Sequence, residues 1–433
     1  MPADDVALLR QWFNQLLPGA LDPADDRYVP LEEATRASLQ NIFAFIDLPF
    51  GTTTTAQLLS GPNGSGKTTE LYRLKRDLEG VGFRVVLVDM LAYVSQSAAI
   101  DATEFLIAVG LAFGEEMLGD ADEERTRGFA ARFREFLRRV KVSVDAGPVK
   151  AEASAQGVSA SALGLSVDID LKTELRGSQP FVQELRDKLA FQLGELYEEV
   201  AAFCQELVAA DKAQRPDSRG VVLIVDSLEK LRESKSVQQL FLRDSDKLRF
   251  ASHHVVYTAP PYLLFTDPGA LPYDGPVQPV SVPHVRDRTG DPDKDTMAIM
   301  REVVARRVDW RALLGDRDVL DQVILASGGH LRDLFRLLQA IIAAAHGRNA
   351  GLPVGADHVG RAVNSIARDF AGITEENAAC LRQVMDRGGT VQPATAEIDR
   401  LARLLDTHML LAHVNDDTWY EVHPLARRAL GSG

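Results

Sequence analysis

Residues 61–68 read Gly-Pro-Asn-Gly-Ser-Gly-Lys-Thr, and this stretch limits the possible folds more than any other in the chain. The spacing is Gly-x-x-x-x-Gly-Lys-Ser/Thr, in which small residues let successive backbone N–H groups turn inward around the oxygens of an anion. The apolar run Gln57 to Ser60 before it has the pattern of a strand, and Lys67 to about Leu78 after it that of a helix. A helix starting there points its positive end at the loop, which is the context in which this motif holds phosphate. Gly61, Pro62, Asn63, Gly64, Ser65, Gly66, Lys67, Thr68 and Thr69 are therefore the expected nucleotide-binding residues. Lys67 is expected to bridge the β- and γ-phosphates, and Thr68 to place its hydroxyl on Mg²⁺.

Four more apolar runs extend this start into a parallel sheet: Arg84 to Asp89, Val221 to Val225, His254 to Thr258 and Val277 to Val282, with helical stretches between them. The second of these runs ends in Asp226, a carboxylate at the strand's C-terminal end, where it would hold a water on Mg²⁺. Thr68 and Asp226 are thus the metal-side pair. Glu229, three residues on, is the candidate to polarise an attacking water, and a helix-start acid favoured by the dipole is the alternative. Thr258, ending the next strand, is expected near the γ-phosphate or the attacking water, or else as an ordinary strand-end threonine. Lys67, Asp226, Glu229 and Thr258 form the expected catalytic set.

The rest of the chain is helical in pattern. Residues 1–30 are rich in Pro and Asp, and Leu31, Leu39, Ile42, Phe43 and Ile46 mark a lead-in helix. Residues 102–141 and Pro180 to Lys212 read as helices, and alternation at Leu165, Val167, Ile169 and Leu171 suits a hairpin between them. Together, residues 96–212 are expected as a helical insertion. Helices follow at about 293–309, 317–326, 330–346 and 356–369, interrupted by Gly328-Gly329. Arg332, at the start of one of them, is placed to reach back to the phosphates; a surface arginine is the alternative. Helices at 374–387 and 396–407, then a hairpin around Asn415-Asp416-Asp417, suggest a winged helix. Four regions result: 1–50, 51–290, 291–371 and 372–433.

Composition narrows the function. The net charge of −14 has the wrong sign for coating nucleic acid. Cys204 and Cys380 are too few for a cysteine metal cluster or a disulfide framework, and both read as reduced core thiols. The start is acidic where a secretory leader is basic, and no apolar run approaches the ~18 residues that span a bilayer, so a cytoplasmic location without membrane contact is expected.

These residues resemble AAA+-type P-loop ATPases and, within them, the STAND class of signalling ATPases. Val225-Asp226-Ser-Leu-Glu229 is similar to the NACHT spacing of two acids, and Gly328-Gly-His-Leu-Arg332 resembles the lid helix and sensor-2 arginine of origin-recognition ATPases. Tyr420-Glu-Val-His423-Pro is similar to the winged-helix Met-His-Asp motif of NB-ARC proteins, whose histidine contacts the ADP β-phosphate; the resemblance makes His423 a nucleotide-binding residue. The chain departs from these families in having no arginine between Thr258 and Val277, Ala259-Pro260 at the sensor-1 position and Pro424 for the usual Asp. Arg286 and Arg288 are the candidate substitutes for an arginine finger.

The resemblance implies an ATPase fed by ATP/ADP and Mg²⁺, turning over slowly as a nucleotide-gated switch that recruits a protein partner or forms a nucleotide-dependent homo-oligomer. Bacterial members of the class often serve stress, regulatory or antiviral systems. The alternative is a DNA-binding initiator whose winged helix reads a duplex. Against it, residues 375–433 carry nine acids and six arginines with no lysine. A small-substrate phosphotransferase would leave the helical regions without a role.

Overall fold

The computed structural model describes residues 3–31, 33–48, 53–95, 100–119, 172–173, 175–189, 192–230, 239–265, 271–348, 350–389, 397–415 and 417–431. Five strands, β1 (Ala56–Ser60), β2 (Phe83–Asp89), β3 (Gly220–Asp226), β4 (His254–Ala259) and β5 (Gln278–Pro279), form one parallel sheet in the order β2-β3-β4-β1-β5. This is the expected P-loop architecture. The order brings the C-terminal ends of β1, β4 and β3 side by side: Leu59 pairs with Thr258, and Val225 with Tyr257.

The β3 sequence Gly-Val-Val-Leu-Ile-Val-Asp is β-branched and apolar because both faces are covered. Val221, Leu223 and Val225 enter one core, while Val222 and Ile224 enter the other, as a period of two requires. The second face carries α2 (Glu33–Asp47) and α3 (Lys67–Gly80), through Leu39, Ile42, Ile46, Leu71, Leu74 and Leu78.

The first face carries α4 (Ala102–Gly119), α5 (Gln179–Leu189) and α6 (Leu193–Gln214). Every residue of α4 from Ala102 to Gly114 is buried, because this helix lies between the sheet and α6. The described parts of 96–212 are therefore the layer that covers this face. A parallel β2-to-β3 connection needs such a crossover. The hairpin expected at 142–178 lies outside the described residues.

The expected strand 277–282 is only the two residues of β5. Pro279 has no N–H for a ladder; the Val280 N–H still donates to the Ser60 carbonyl of β1 (2.6 Å), and the chain then leaves the sheet, the Val282 N–H donating to the Ala412 carbonyl (3.1 Å). The N-terminal 30 residues also differ from expectation. Ala3–Gln15 form a helix, α1, with Asp4 and Asp5 in its first turn, and Leu9, Trp12 and Leu16 are buried in the lid core.

That lid consists of α7 (Lys294–Ala305), α8 (Trp310–Leu314), α9 (Arg317–Ser327), α10 (Leu331–Gly347) and α11 (Ala356–Ala367). The C-terminal region adds α12 (Glu375–Asp386), α13 (Ile398–Asp406), the antiparallel hairpin β6 (Leu410–Asn415) and β7 (Asp417–Val422), and α14 (Pro424–Gly431). Lid and C-terminal region share one hydrophobic core. Gly328 and Gly329 turn between α9 and α10 with φ of 61° and 82°. A Cβ on Gly329 would fall on the Pro283 carbonyl, and one on Gly328 would lie 2.6 Å from Leu411 and 2.8 Å from Pro424. The glycines thus permit both the left-handed turn and the close approach. Among the described residues no helix is long and apolar enough to cross a membrane.

Candidate functional site

The loop after β1 turns through Gly64 and Gly66 at φ of 87° and 99°, which non-glycine residues rarely adopt. It borders a cavity of about 320 Å³, within the range of small-ligand sites. Of the expected residues, Asn63, Gly64, Gly66, Lys67, Thr68, Thr69, Glu229 and Arg332 line it. Gly61, Pro62 and Ser65 complete the turn behind them. Asp226, Thr258 and His423 do not line the cavity.

The floor is built from pairs. The Lys67 ammonium donates to the carbonyls of Gly61 (2.8 Å) and Pro62 (2.9 Å) and lies 3.2 Å from the Glu229 carboxylate. Its three protons therefore face three acceptors. The Thr68 hydroxyl donates to Asp226 Oδ2 (2.6 Å), while Asp226 Oδ1 accepts the Ser227 N–H (2.7 Å). Ser227 is itself left-handed, at φ 73°, which turns the chain so that Glu229 comes back toward Lys67.

Burial pushes the Glu229 carboxyl up, but the opposing pull of Lys67, with Thr258, holds it below the usual carboxylate range. Burial and the Glu229 charge push Asp226 up. Thr258 sits behind this pair: fully buried, its hydroxyl accepts the Leu228 N–H at 3.1 Å and fixes the turn that carries Glu229. It holds the turn in place and does not line the cavity.

Three buried polar atoms at the floor have no hydrogen-bond partner among the described residues: Asn63 Oδ1, Ser65 Oγ and Glu229 Oε2. Such atoms normally meet a partner. With the inward-turned loop and the Thr68–Asp226 pair, they suit a phosphate chain and a hard divalent cation that takes oxygen ligands.

The opposite wall comes from the lid. Arg332 packs on the loop, with its Nε 3.0 Å from the position a Cβ on Gly64 would take. It has no ion-pair partner among the described residues. His330, one turn residue before α10, directs Nε2 to the Asn63 carbonyl (2.7 Å) and Nδ1 to Asp333 Oδ2 (2.7 Å). His423 is fully buried and stacked on Phe370; its Nε2 lies 3.5 Å from Asp333, so it reaches the loop only through Asp333 and His330.

Sequence reasoning missed three contributors. Residues 18–31 form a wall with Leu21, Tyr28 and Leu31, anchored where the Leu21 N–H donates to the Thr69 hydroxyl (3.1 Å). Arg307, pushed down to about 10 by burial and its arginine neighbours, stacks on Phe335 at 4.9 Å and donates to the Arg27 carbonyl. Asp406 of α13 feels both Lys67 and Glu229, and burial raises it to about 7. The hydroxyl of Thr69 within the loop was a visible signal; the others come from distant segments.

Neither a known protein family nor a curated protein matches the sequence. Among solved structures the chain is similar to Cdc6p from Pyrobaculum aerophilum, at 13% identity over 97% of each chain and a TM-score of 0.40. It is similar to a Walker-type ATPase of Pyrococcus abyssi at 13% identity, covering 96% of this chain and 99% of that one, with a TM-score of 0.41. A third similar structure is the Aeropyrum pernix ORC1 protein in complex with DNA, at 13% identity over 97% of this chain and 96% of that one, TM-score 0.40.

Proposed function

We propose that this chain is a slowly hydrolysing, Mg²⁺-dependent ATPase of the AAA+ kind that works as a nucleotide-gated switch. In this reading ADP holds the lid and a C-terminal winged helix against the phosphate loop, and ATP loosens them to expose a surface for a protein partner or a second copy. The observation that carries it is the Thr68–Asp226 hydrogen bond of 2.6 Å beside Lys67, which joins residues 158 positions apart at the cavity floor.

The roles follow from the pairs. The loop N–H groups and Lys67 would bind phosphate, Thr68 and Asp226 would hold Mg²⁺ directly or through its water, and Arg332 would take phosphate oxygens from the lid. Bound Mg²⁺ would neutralise charge building on the phosphates. Phosphate binding competes with Glu229 for Lys67, and a Glu229 freed from that pair becomes the base that orients water. Tyr28, Leu21 and Phe335 give the apolar surface for a base.

Titration with a fluorescent ATP analogue tests binding. Lys67→Ala should weaken it ~10- to 100-fold, the cost of a charged hydrogen bond of ~1.5–3 kcal/mol. Glu229→Gln should keep binding and cut hydrolysis ~100-fold or more. Equal affinity in wild type and Lys67→Ala would sink the reading.

Duplex binding is the weaker reading. Arg400 is held by Glu376 at 2.8 Å, and Leu401, Leu404 and Leu405 of α13 are buried in the shared core. The free basic surface that a recognition helix offers is reduced accordingly.

A further inference from the structure

Behind the lid wall lies a buried group of nitrogen and oxygen ligands that the ATPase reading does not use. His330 and Asp333 stand three residues apart at the start of α10, and His408 comes from the turn between α13 and β6. Their exposures are 0%, 0% and 9%, and one ligand atom from each lies within 4.8 Å of the others. We propose that His330, Asp333 and His408 bind a Zn²⁺ ion that staples the C-terminal region to the start of the lid helix α10.

Hydrogen-bond accounting is the first argument. Three imidazole nitrogens crowd one oxygen, Asp333 Oδ2: His330 Nδ1 at 2.7 Å, His408 Nδ1 at 3.4 Å and His423 Nε2 at 3.5 Å. Only the first is a good hydrogen bond, and His408 Nε2 and His423 Nε2 have no hydrogen-bond partner although buried. One carboxylate oxygen has two lone pairs and cannot serve three rings. Hydrogen bonding alone leaves these rings poorly placed, whereas a cation at the centre uses lone pairs from His330, Asp333 and His408 at once.

The outer partners are the second argument. The His330 Nε2 proton is fixed on the Asn63 carbonyl, so a metal would displace the proton that Nδ1 shares with Asp333 and take Nδ1 as its ligand, while Arg336 holds the other Asp333 oxygen at 3.1 Å. Zinc-ligating histidines are oriented in this way, by giving the second ring N–H to a carbonyl. His408 is presented by a left-handed backbone at φ 59°, an unfavourable conformation for a non-glycine residue that occurs at built sites. His423 stays outside the ligand set: its Nδ1 accepts the Leu425 N–H at 3.1 Å, so its proton sits on Nε2 and points at Asp333.

Two imidazoles and one carboxylate suit Zn²⁺, with a fourth position for water. Ca²⁺ and Mg²⁺ prefer more oxygen ligands. This site is separate from the Thr68–Asp226 pair and does not depend on the nucleotide reading.

The test uses the full chain, stripped by chelator and dialysed without nucleotide against Zn²⁺ buffered at ~1 µM, well above the dissociation constant of a structural zinc site. Metal analysis should find about one Zn²⁺ per chain, and Co²⁺ should give the intense visible bands of a four-coordinate centre. His408→Ala and Asp333→Asn should lose both signals, His423→Gln should keep them, and Zn²⁺ should raise the melting temperature of wild type but not of His408→Ala. Wild type without bound Zn²⁺ or a Co²⁺ spectrum would mean a purely hydrogen-bonded cluster and overturn the proposal. So would retention of the metal by His408→Ala. If that variant does not fold, the wild-type measurements decide alone.

Discussion

The two walls of the cavity are built in opposite ways. On the sheet side the ligand-binding groups come from two short contiguous stretches, 61–69 and 226–229, and are already paired with one another: Lys67 with Glu229, Thr68 with Asp226. On the lid side Arg332 has no ion pair among the described residues, and the histidines behind it gather from the α9–α10 turn, the α13–β6 turn and the end of β7. The sheet wall is fixed by local sequence and the order of the strands. The lid wall is carried by α7 and α10, whose core continues into the C-terminal region, and in the proposed reading it is the wall that a ligand moves. A nucleotide switch needs one such wall of each kind, since a state change requires contacts that differ between states.

The largest expected effect comes from breaking the docking directly. Gly329→Ala would put a methyl group on the Pro283 carbonyl at a φ of 82°. We expect a loss of ~3 kcal/mol or more, by backbone strain and overpacking. All three tryptophans, Trp12, Trp310 and Trp419, belong to the lid and C-terminal side. Their fluorescence should therefore unfold at lower denaturant than the far-ultraviolet signal of the whole chain. Coincident transitions at the wild-type midpoint would show that the close approach does not matter.

Acid should weaken the sheet side. Burial pushes His253 down to about 3 and His254 down to about 4. His254 Nδ1 accepts the Thr55 N–H at 3.1 Å, so the folded protein holds this ring unprotonated. The unfolded chain takes up these protons near pH 6.5 and the folded chain does not. Stability is thus fully present above about 6.5 and lost as pH falls toward 4. Two protons give a slope of up to ~2.7 kcal/mol per pH unit, readable as a falling denaturation midpoint. A midpoint that stays level over that window would contradict the burial of both rings as neutral groups.

Arg332→Ala probes the lid wall more gently. It should weaken ATP about tenfold, the value of one charged hydrogen bond, with the melting temperature unchanged. An unchanged ATP affinity would remove Arg332 from the site.

The contrast between the walls also explains what the sequence made legible. The glycine-rich loop, Asp226 and Glu229 stand out in the sequence because each lies in a contiguous motif at the end of an apolar run. All but the short fifth strand were located closely, since short continuous apolar runs mark strands buried on both faces. Arg332 was visible through the Gly328-Gly329 break. Asp333 and His408 were not, because three segments separated by tens of residues must meet before their chemistry appears. Helix α1 was hidden by the Asp- and Pro-rich residues around it. Which face of the sheet α4 and α6 cover was not legible, because α4 is buried on every side from Ala102 to Gly114 and shows no amphipathic period.

The central claim is that nucleotide state sets the docking of the C-terminal region on the loop. Hydrogen exchange over residues 397–425 and the start of α10, compared between ADP and a non-hydrolysable ATP analogue with Mg²⁺, tests it most directly. The account predicts strong protection with ADP and faster exchange with the ATP analogue, while β1 and β3 stay equally protected. Identical exchange in both states, with both nucleotides bound, would contradict it.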